Sequence, residues 1–459
     1  MPQTYYQSPH VRARIREFLG ATSNGPTAVF ITADGPDPHV EYTPRRVSCL
    51  EQCLNEGLDV GRSLWDRQSL IAHLDIEYVN FDDPGRSWQY PVETFEVQQM
   101  VVHAVEELLT GSRISFLHLL SGRGHHFMWG IRRDSDTFGL LAKIGHVPEP
   151  LAACYHYPHP PHGEIVEPDL GSAYSGLGMM MEYVAQRVVD AVSAATPIPV
   201  ELTAVKVPSH AGGHEAISID ISEYGDPLHT RGTRIPFSVY LKPLQQRFLL
   251  NKDLIKGMPP LFVIPLFEMD VHQGLLAMRD IGAVQDLAHR ASVRIPDSSD
   301  ATRKLLDMYV TSSLARFHES FYSREQCEPD NWPHTYDVVS LHDLPPCISM
   351  ILKQPNERLL KPSGIRRLVR VLLARNWHPR DIAGLIRSKY ERDFGWGNMW
   401  YRYNACSRAD FYVRMFAGMI STGCDSLQDF NCENTKENSE CPTTECSETL
   451  EKFGERLRP

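Results

Sequence analysis

No stretch of this 459-residue chain approaches the ~20 continuous apolar residues that a membrane span needs. Residues 1–8 are polar and lack the apolar core of a secretory signal. A cytoplasmic protein with no membrane partner is therefore expected. Positive charge is in deficit: 46 Lys and Arg stand against 57 Asp and Glu, a net charge of −11. Taken alone, that balance argues against nucleic acid, because phosphate contacts need cations. There is no G-K-[ST] step, so a P-loop is not expected. There are no paired C-x₂-C motifs, so a zinc ribbon is not expected. No internal repeat is visible.

What is present is ordinary globular material, 42% hydrophobic and 22% charged, enough for two or three domains. The charge is unevenly spread. Residues 351–420 hold 14 Lys and Arg against 5 Asp and Glu, whereas residues 421–459 hold 4 against 9. A basic region thus sits in an acidic chain, either as a binding surface or as Arg-rich solvated helix faces. The ten cysteines come without a secretory signal, so disulfides are not expected. Cys49, Cys53, Cys154, Cys327, Cys406 and Cys424 are scattered and read mostly as small buried apolar residues.

Periodicity predicts a helix near 11–19 and strands at 28–32, 70–79, 114–120, 126–131, 216–221 and 236–241. Helices are predicted at 92–109 and 176–194. Residues 147–168, rich in Pro and His, read as a loop. Beyond about 250 the pattern turns helical, at 299–324, 365–375, 379–393 and 407–420. The proline-rich stretch 328–346 reads as a domain junction. The tail 431–459 is polar and would be disordered without a cross-link.

Three sites carry chemistry. In the strand at 70–79, Asp75 and Glu77 alternate with Leu74, Ile76 and Tyr78, so the two acids share a face. Like charges there repel, and a divalent cation removes the conflict. The plain alternative is a solvated edge. Next, Ser121-Gly122-Arg123-Gly124-His125-His126 joins two strands, with glycines for a tight turn and Ser, Arg and His as donors for phosphate oxygens. Third, Asp220 is a lone acid in an apolar strand, followed by His229, Arg234 and Pro236-Phe237-Ser238-Val239, with Lys242 just beyond.

In that order these blocks resemble the catalytic subunit of archaeo-eukaryotic primases, over roughly residues 60–245. The resemblance implies an α/β unit packed on an RRM-like sheet with the active site between them. Asp75, Glu77 and Asp220 would then hold two Mg²⁺ or Mn²⁺ ions for nucleotidyl transfer. Ser121, Arg123 and His126 would hold the nucleotide triphosphate, joined by His229, Arg234, Ser238 and Lys242. The zinc cysteines that follow the first acidic motif in such subunits are absent. Cys154, His156, His159 and His162 offer zinc donors, but their prolines read better as a stiff loop.

Leu344-Pro345-Pro346-Cys347 opens the helical region, and Cys432, Cys441 and Cys446 close it. One early and three late cysteines resemble the C-terminal domain of large primase subunits, which implies a 4Fe–4S cluster. The late cysteines are more closely spaced than in that family, so tetrahedral zinc is the alternative, and Cys424 could replace Cys347. Arg366, Arg367, Arg370, Arg375, Arg380 and Arg387, interleaved with Trp377, Trp396, Trp400, Tyr401 and Tyr403, suit single-stranded template and triphosphate.

The expectation is therefore an α/β (α+β) catalytic domain with an RRM-like sheet (1–300), a helical junction (301–345) and a mostly α-helical domain with a cysteine metal site (346–459). It would act as a DNA-dependent primase-polymerase on single-stranded DNA with NTPs or dNTPs, alongside a helicase or other replication or mobile-element proteins. An extension-only gap-filling or translesion polymerase and a non-catalytic nucleic-acid-binding subunit are the alternatives.

Overall fold

The computed structural model describes the chain except residues 1, 24, 37–42, 204–213, 226, 227, 229, 251, 354–358, 360, 394–403, 439, 443–445, 447 and 459. The fold is mixed α/β. Its strands are β1 (Phe30–Asp34), β2 (Thr43–Arg46), β3 (Asp59–Ser63), β4 (Ser69–Asn80), β5 (Leu117–Leu120), β6 (Gly124–Arg132), β7 (Val200–Leu202), β8 (Glu215–Asp220), β9 (Gly232–Arg234) and β10 (Ile264–Pro265). They form two sheets, β2-β1-β3-β9 and β10-β5-β6-β4-β8-β7. No helix among the described residues is long and apolar enough to cross a membrane.

The larger sheet is organised by β4, which pairs antiparallel with β6 on one side and β8 on the other. Helix Pro91–Gly111 leads from β4 to β5, a tight hairpin joins β5 to β6, and the long helix Pro168–Val192 precedes β8. The chain thus runs strand–helix–strand–strand–helix–strand, with the first strand between the third and fourth. Both long helices pack on β4 and on each other. His125 of β6 lies 5.1 Å from the Phe95 ring of the first helix, on the helix-covered face. His126 therefore points to the opposite face.

Several predicted elements change shape. The stretch 236–241 is not a strand: Phe237 takes a left-handed φ of 65°, and Ser238 N–H turns back to the Ile235 carbonyl. The helix predicted at 299–324 is two helices, Ser299–Val310 and Ser313–Tyr322, because Ser312 caps a new start by accepting the Ala315 N–H. The loop at 147–168 contains the short helix Glu149–Tyr155. The polar tail has an anchor of its own, the helix Leu450–Leu457, whose Leu450 and Phe453 are buried.

The C-terminal helices do not stand off from the sheets. Helix Ala405–Thr422 packs on the turn Ser222–Gly225 that follows β8. Any side chain at Gly225 would strike the Phe411 ring, 2.4 Å away. Glu182 of the long helix pairs with Arg414 and, at 3.0 Å, with His318. Arg366 reaches Glu201 of β7 at 2.7 Å. One continuous hydrophobic core runs from Tyr5 to Phe453.

Candidate active site

The face of β4 turned away from the long helices carries His73, Asp75 and Glu77, spaced by two. Register places His126 of β6 and Asp220 of β8 directly opposite Asp75, so the three side chains lie in one row. Glu77 faces Ser218 of β8 and Gly124 of β6. Gly124 is obligatory, because a Cβ there would lie 1.8 Å from the Ile76 carbonyl oxygen. Gly122 is equally constrained by the Tyr240 ring, 2.4 Å from its would-be Cβ. The hairpin's glycines thus let strand β6 and the 236–242 segment close against Arg123.

The electrostatics are divided. Burial, then Glu77, Asp220 and Glu223, push the Asp75 carboxyl well above the ordinary carboxylate range. Burial also penalises Glu77, but Arg123 and Lys242 outweigh it and hold that carboxyl down at about 2. Arg123 ion-pairs with Glu77, and the Lys242 ammonium stands 3.7 Å from it. Burial and the neighbouring Arg123 lower Lys242 to about 8. Arg234 of the small sheet is held by Asp59 at 3.2 Å and lies 4.7 Å from the Tyr240 ring centre. Asp59 also accepts the Leu241 N–H, fixing both ends of the 234–242 segment.

Unpaired polar atoms concentrate at this face. Asp75 Oδ1, Arg123 Nε, His126 Nε2, Ser218 Oγ, Ser238 Oγ and Tyr240 Oη are buried without a hydrogen-bond partner among the described residues. Buried polar groups are rarely left so, and a cluster of them is a place where water or a ligand completes the bonding.

Of the residues singled out from sequence, Asp75, Glu77, Asp220, Arg123, His126, Arg234 and Lys242 come together here. Ser238 lies on the adjoining segment with its hydroxyl unsatisfied. Ser121 departs from expectation, since its hydroxyl donates to the Gly124 carbonyl inside the turn at 3.3 Å. His229 lies outside the described residues. Sequence reading missed His73, Glu223, Tyr240 and Asp59. The period-two face of β4 could have flagged His73. Nothing local flags Glu223, which joins His73 only through the fold. Among the described residues, no three His, Cys, Asp or Glu side chains are arranged to hold a metal ion. At the carboxylates the reason is visible, since Glu77 is drawn to Arg123 and Lys242.

The cysteine expectation is met only in neighbourhood. Burial raises the Cys347 thiol to about 12, with Cys441, Cys432 and Cys446 each adding to it, so the four thiols sense one another. Cys432 Sγ accepts the Leu450 N–H at 3.3 Å. A cysteine metal site is not shown. Cys424 sits instead beside Asp190. Cys154 is exposed, contrary to the expectation of burial. His159 bonds the Cys154 carbonyl, while His162 packs on Phe30 and Trp65, so the zinc donors of that loop do not gather.

The arginine expectation is overturned more fully. Arg366, Arg370, Arg380 and Arg387 are buried. Arg370 bonds Asp425 and Asp429, Arg380 pairs with Asp410, and Arg387 with Glu391. Arg367 pairs with Glu440, and Arg375 bonds the Asp343 carbonyl. These cations hold helices together and are not a free surface for phosphate. Trp377 is partly buried against the core, and the other four aromatics lie outside the described residues.

No family model, curated protein or solved structure matches this chain.

Proposed function

We propose that the chain is a template-directed nucleotidyltransferase of the primase-polymerase kind. The observation that carries this reading is the facing pair Asp75 and Asp220, with a buried, unpartnered Asp75 oxygen and Glu77 on the same strand face. Such a group of acids is stable when a cation neutralises it. The strand–helix–strand–strand–helix–strand connectivity supports the RRM-like expectation, and the small sheet supplies Arg234 from across the site.

Asp75, Glu77 and Asp220 would hold Mg²⁺ or Mn²⁺, which when bound would supply charge neutralisation for an in-line displacement at phosphorus. Arg123 and Lys242 bring positive charge to within reach of Glu77 and can offer it to triphosphate oxygens. Ser238 adds an unused hydroxyl. Gly122 and Gly124 keep the hairpin close enough to present Arg123. The cysteine neighbourhood would hold a 4Fe–4S cluster, with zinc as the alternative. What supports it is that Cys441, Cys432 and Cys446 each act on the Cys347 thiol, and that four thiolates are the usual ligands of such a cluster.

An extension-only polymerase is the second reading. It is favoured by the burial of the C-terminal arginines, which leaves fewer cations to hold an initiating triphosphate.

The test uses the full chain with single-stranded DNA, labelled NTPs or dNTPs, and Mg²⁺ or Mn²⁺, with and without a primer. Synthesis is expected in the wild type and none in the Asp75→Ala/Glu77→Ala double variant, with an unchanged circular dichroism spectrum. Wild-type synthesis by that variant would remove the assignment. Extension without initiation would select the second reading. Metal analysis of anaerobically purified protein should find about four irons per chain; zinc without iron would replace the cluster.

A further inference from the structure

Behind the carboxylate face, on the side covered by helices, a groove of about 420 Å³ runs between helix Pro91–Gly111 and the short helix Val271–Ala277. Gly274 lets the short helix lie close on the sheet, since a Cβ there would stand 2.4 Å from a Leu120 side-chain carbon. Phe95 and Val102 of the long helix and Leu275 of the short one line the groove with carbon. Val92, also in the lining, is 37% exposed.

The remaining lining sets the charge. Glu96 and Glu106 come from one wall and Asp270 from the other, and among the described residues no Lys or Arg lines the groove. Both walls are helices, whose backbone groups are spent internally, and the start of the short one is closed by the Asp270–Gln273 capping box. A strand would therefore find no ladder to join. A helix brings its own backbone bonds and needs only an apolar face and matching charge. From Val92 to Glu106 the long wall runs about 21 Å at 1.5 Å per residue, room for about four helical turns. Acids on both walls call for cations on both flanks of the occupant. Two copies of this groove meeting face to face would set acid against acid, so the complementary surface is a different one.

We propose that this groove docks a basic amphipathic helix of a partner protein, with its apolar face toward Phe95, Val102 and Leu275 and its Lys or Arg side chains toward Glu96, Glu106 and Asp270. The inference goes beyond the nucleotidyltransferase reading and does not rest on it. The docking wall is also the helix that braces the hairpin, because Gln98 donates to the Arg123 carbonyl at 3.1 Å. His118 of β5, which lines the groove, lies 2.9 Å from His125 of the next strand. A partner seated here grips the elements that support the carboxylate face from behind.

The test is a fluorescence anisotropy titration of the full chain with three labelled synthetic helices of about 14 residues, the length of the wall. One carries Leu on one face and Lys on the other, one has Glu in place of Lys, and one keeps Lys but has Ser in place of Leu. The Leu/Lys helix should bind in the micromolar range, and each of the others roughly tenfold more weakly or worse. Glu96→Lys/Gln99→Lys changes two exposed lining positions and should weaken the Leu/Lys helix roughly tenfold. Glu319→Lys/Ser320→Lys adds the same charge at exposed positions outside the groove and should bind as the wild type does. Val92→Asp, which adds no positive charge, should also weaken binding, so the result does not depend on one variant folding. Wild-type affinity in both Glu96→Lys/Gln99→Lys and Val92→Asp overturns the proposal, as does equal loss in the two lysine variants. Equal binding of the Ser/Lys helix would leave only an acidic patch and overturn the amphipathic occupant. Self-association of the chain that Glu96→Lys/Gln99→Lys abolishes, seen by light scattering, would seat a second copy in the groove and overturn the partner.

Discussion

Asp34 and Asp59 stand opposite each other across β1 and β3, a second facing acid pair behind Arg234. Their difference in circumstance is instructive. Asp59 holds Arg234 and the Leu241 N–H, whereas burial and then Asp59 push Asp34 up to about 6. An acid with a raised folded pKa keeps its proton more tightly folded than unfolded. Its contribution to stability is present below the unfolded value near 4 and is lost as pH rises through about 6. Asp34→Asn, which has no proton to lose, should match the wild type near pH 4. It should exceed the wild type by roughly 2 kcal/mol at pH 8, since a pKa unit is worth about 1.4 kcal/mol. Urea unfolding at the two pH values measures this. A difference that does not grow with pH would show that burial and Asp59 do not raise Asp34.

The hairpin between β5 and β6 shows what a single element contributes. Gly124→Ala places a methyl against the Ile76 carbonyl of β4, which is backbone and cannot swing aside as a side chain would. The variant should lose about 3 kcal/mol or more and bind nucleotide far more weakly, because Arg123 moves with the turn. Melting and nucleotide titration at wild-type values would place the hairpin elsewhere. Elements of this kind were legible where a local pattern decides them. Strand β4 was read to within one residue at each end because its alternation is strict, and the Asp75–Glu77 face followed from it. The small sheet was not read beyond the stretch at β1, because its strands are three to five residues long and β1 and β3 are buried throughout, without alternation. Residues 236–241 look like a strand by composition, but Phe237 turns left-handed there. The arginine helices misled for a different reason: a buried ion pair and a solvated cation look alike until Asp425, Asp429 and Glu201 arrive from distant sequence. Glu223 was invisible on the same grounds, being 150 residues from His73.

At the scale of the whole molecule, the carboxylate face and the cysteine neighbourhood are joined by packing. From the cysteines, Cys347 lies on helix Pro346–Lys353, which packs on helix Pro362–Leu373, and Arg366 of that helix ends on Glu201 of β7. From the carboxylate face, Glu223 sits in a turn that Phe411 covers and that Ser407 bonds through the Gly225 carbonyl at 3.3 Å. Glu182, buried and paired with both Arg414 and His318, locks the long helix to two C-terminal ones. With one continuous core and buried charges that cannot separate cheaply, the two regions should open together. Hydrogen exchange should therefore give the amides of β4 and those of helix Ala405–Thr422 the same opening free energy. Phe411→Ala, which empties the space over Gly225, should lower both by about 3–5 kcal/mol. If the helix exchanged through a cheaper opening while β4 stayed protected, and Phe411→Ala widened that gap, the two regions would be separable units. The turn bearing Glu223 would then be held by the sheet alone.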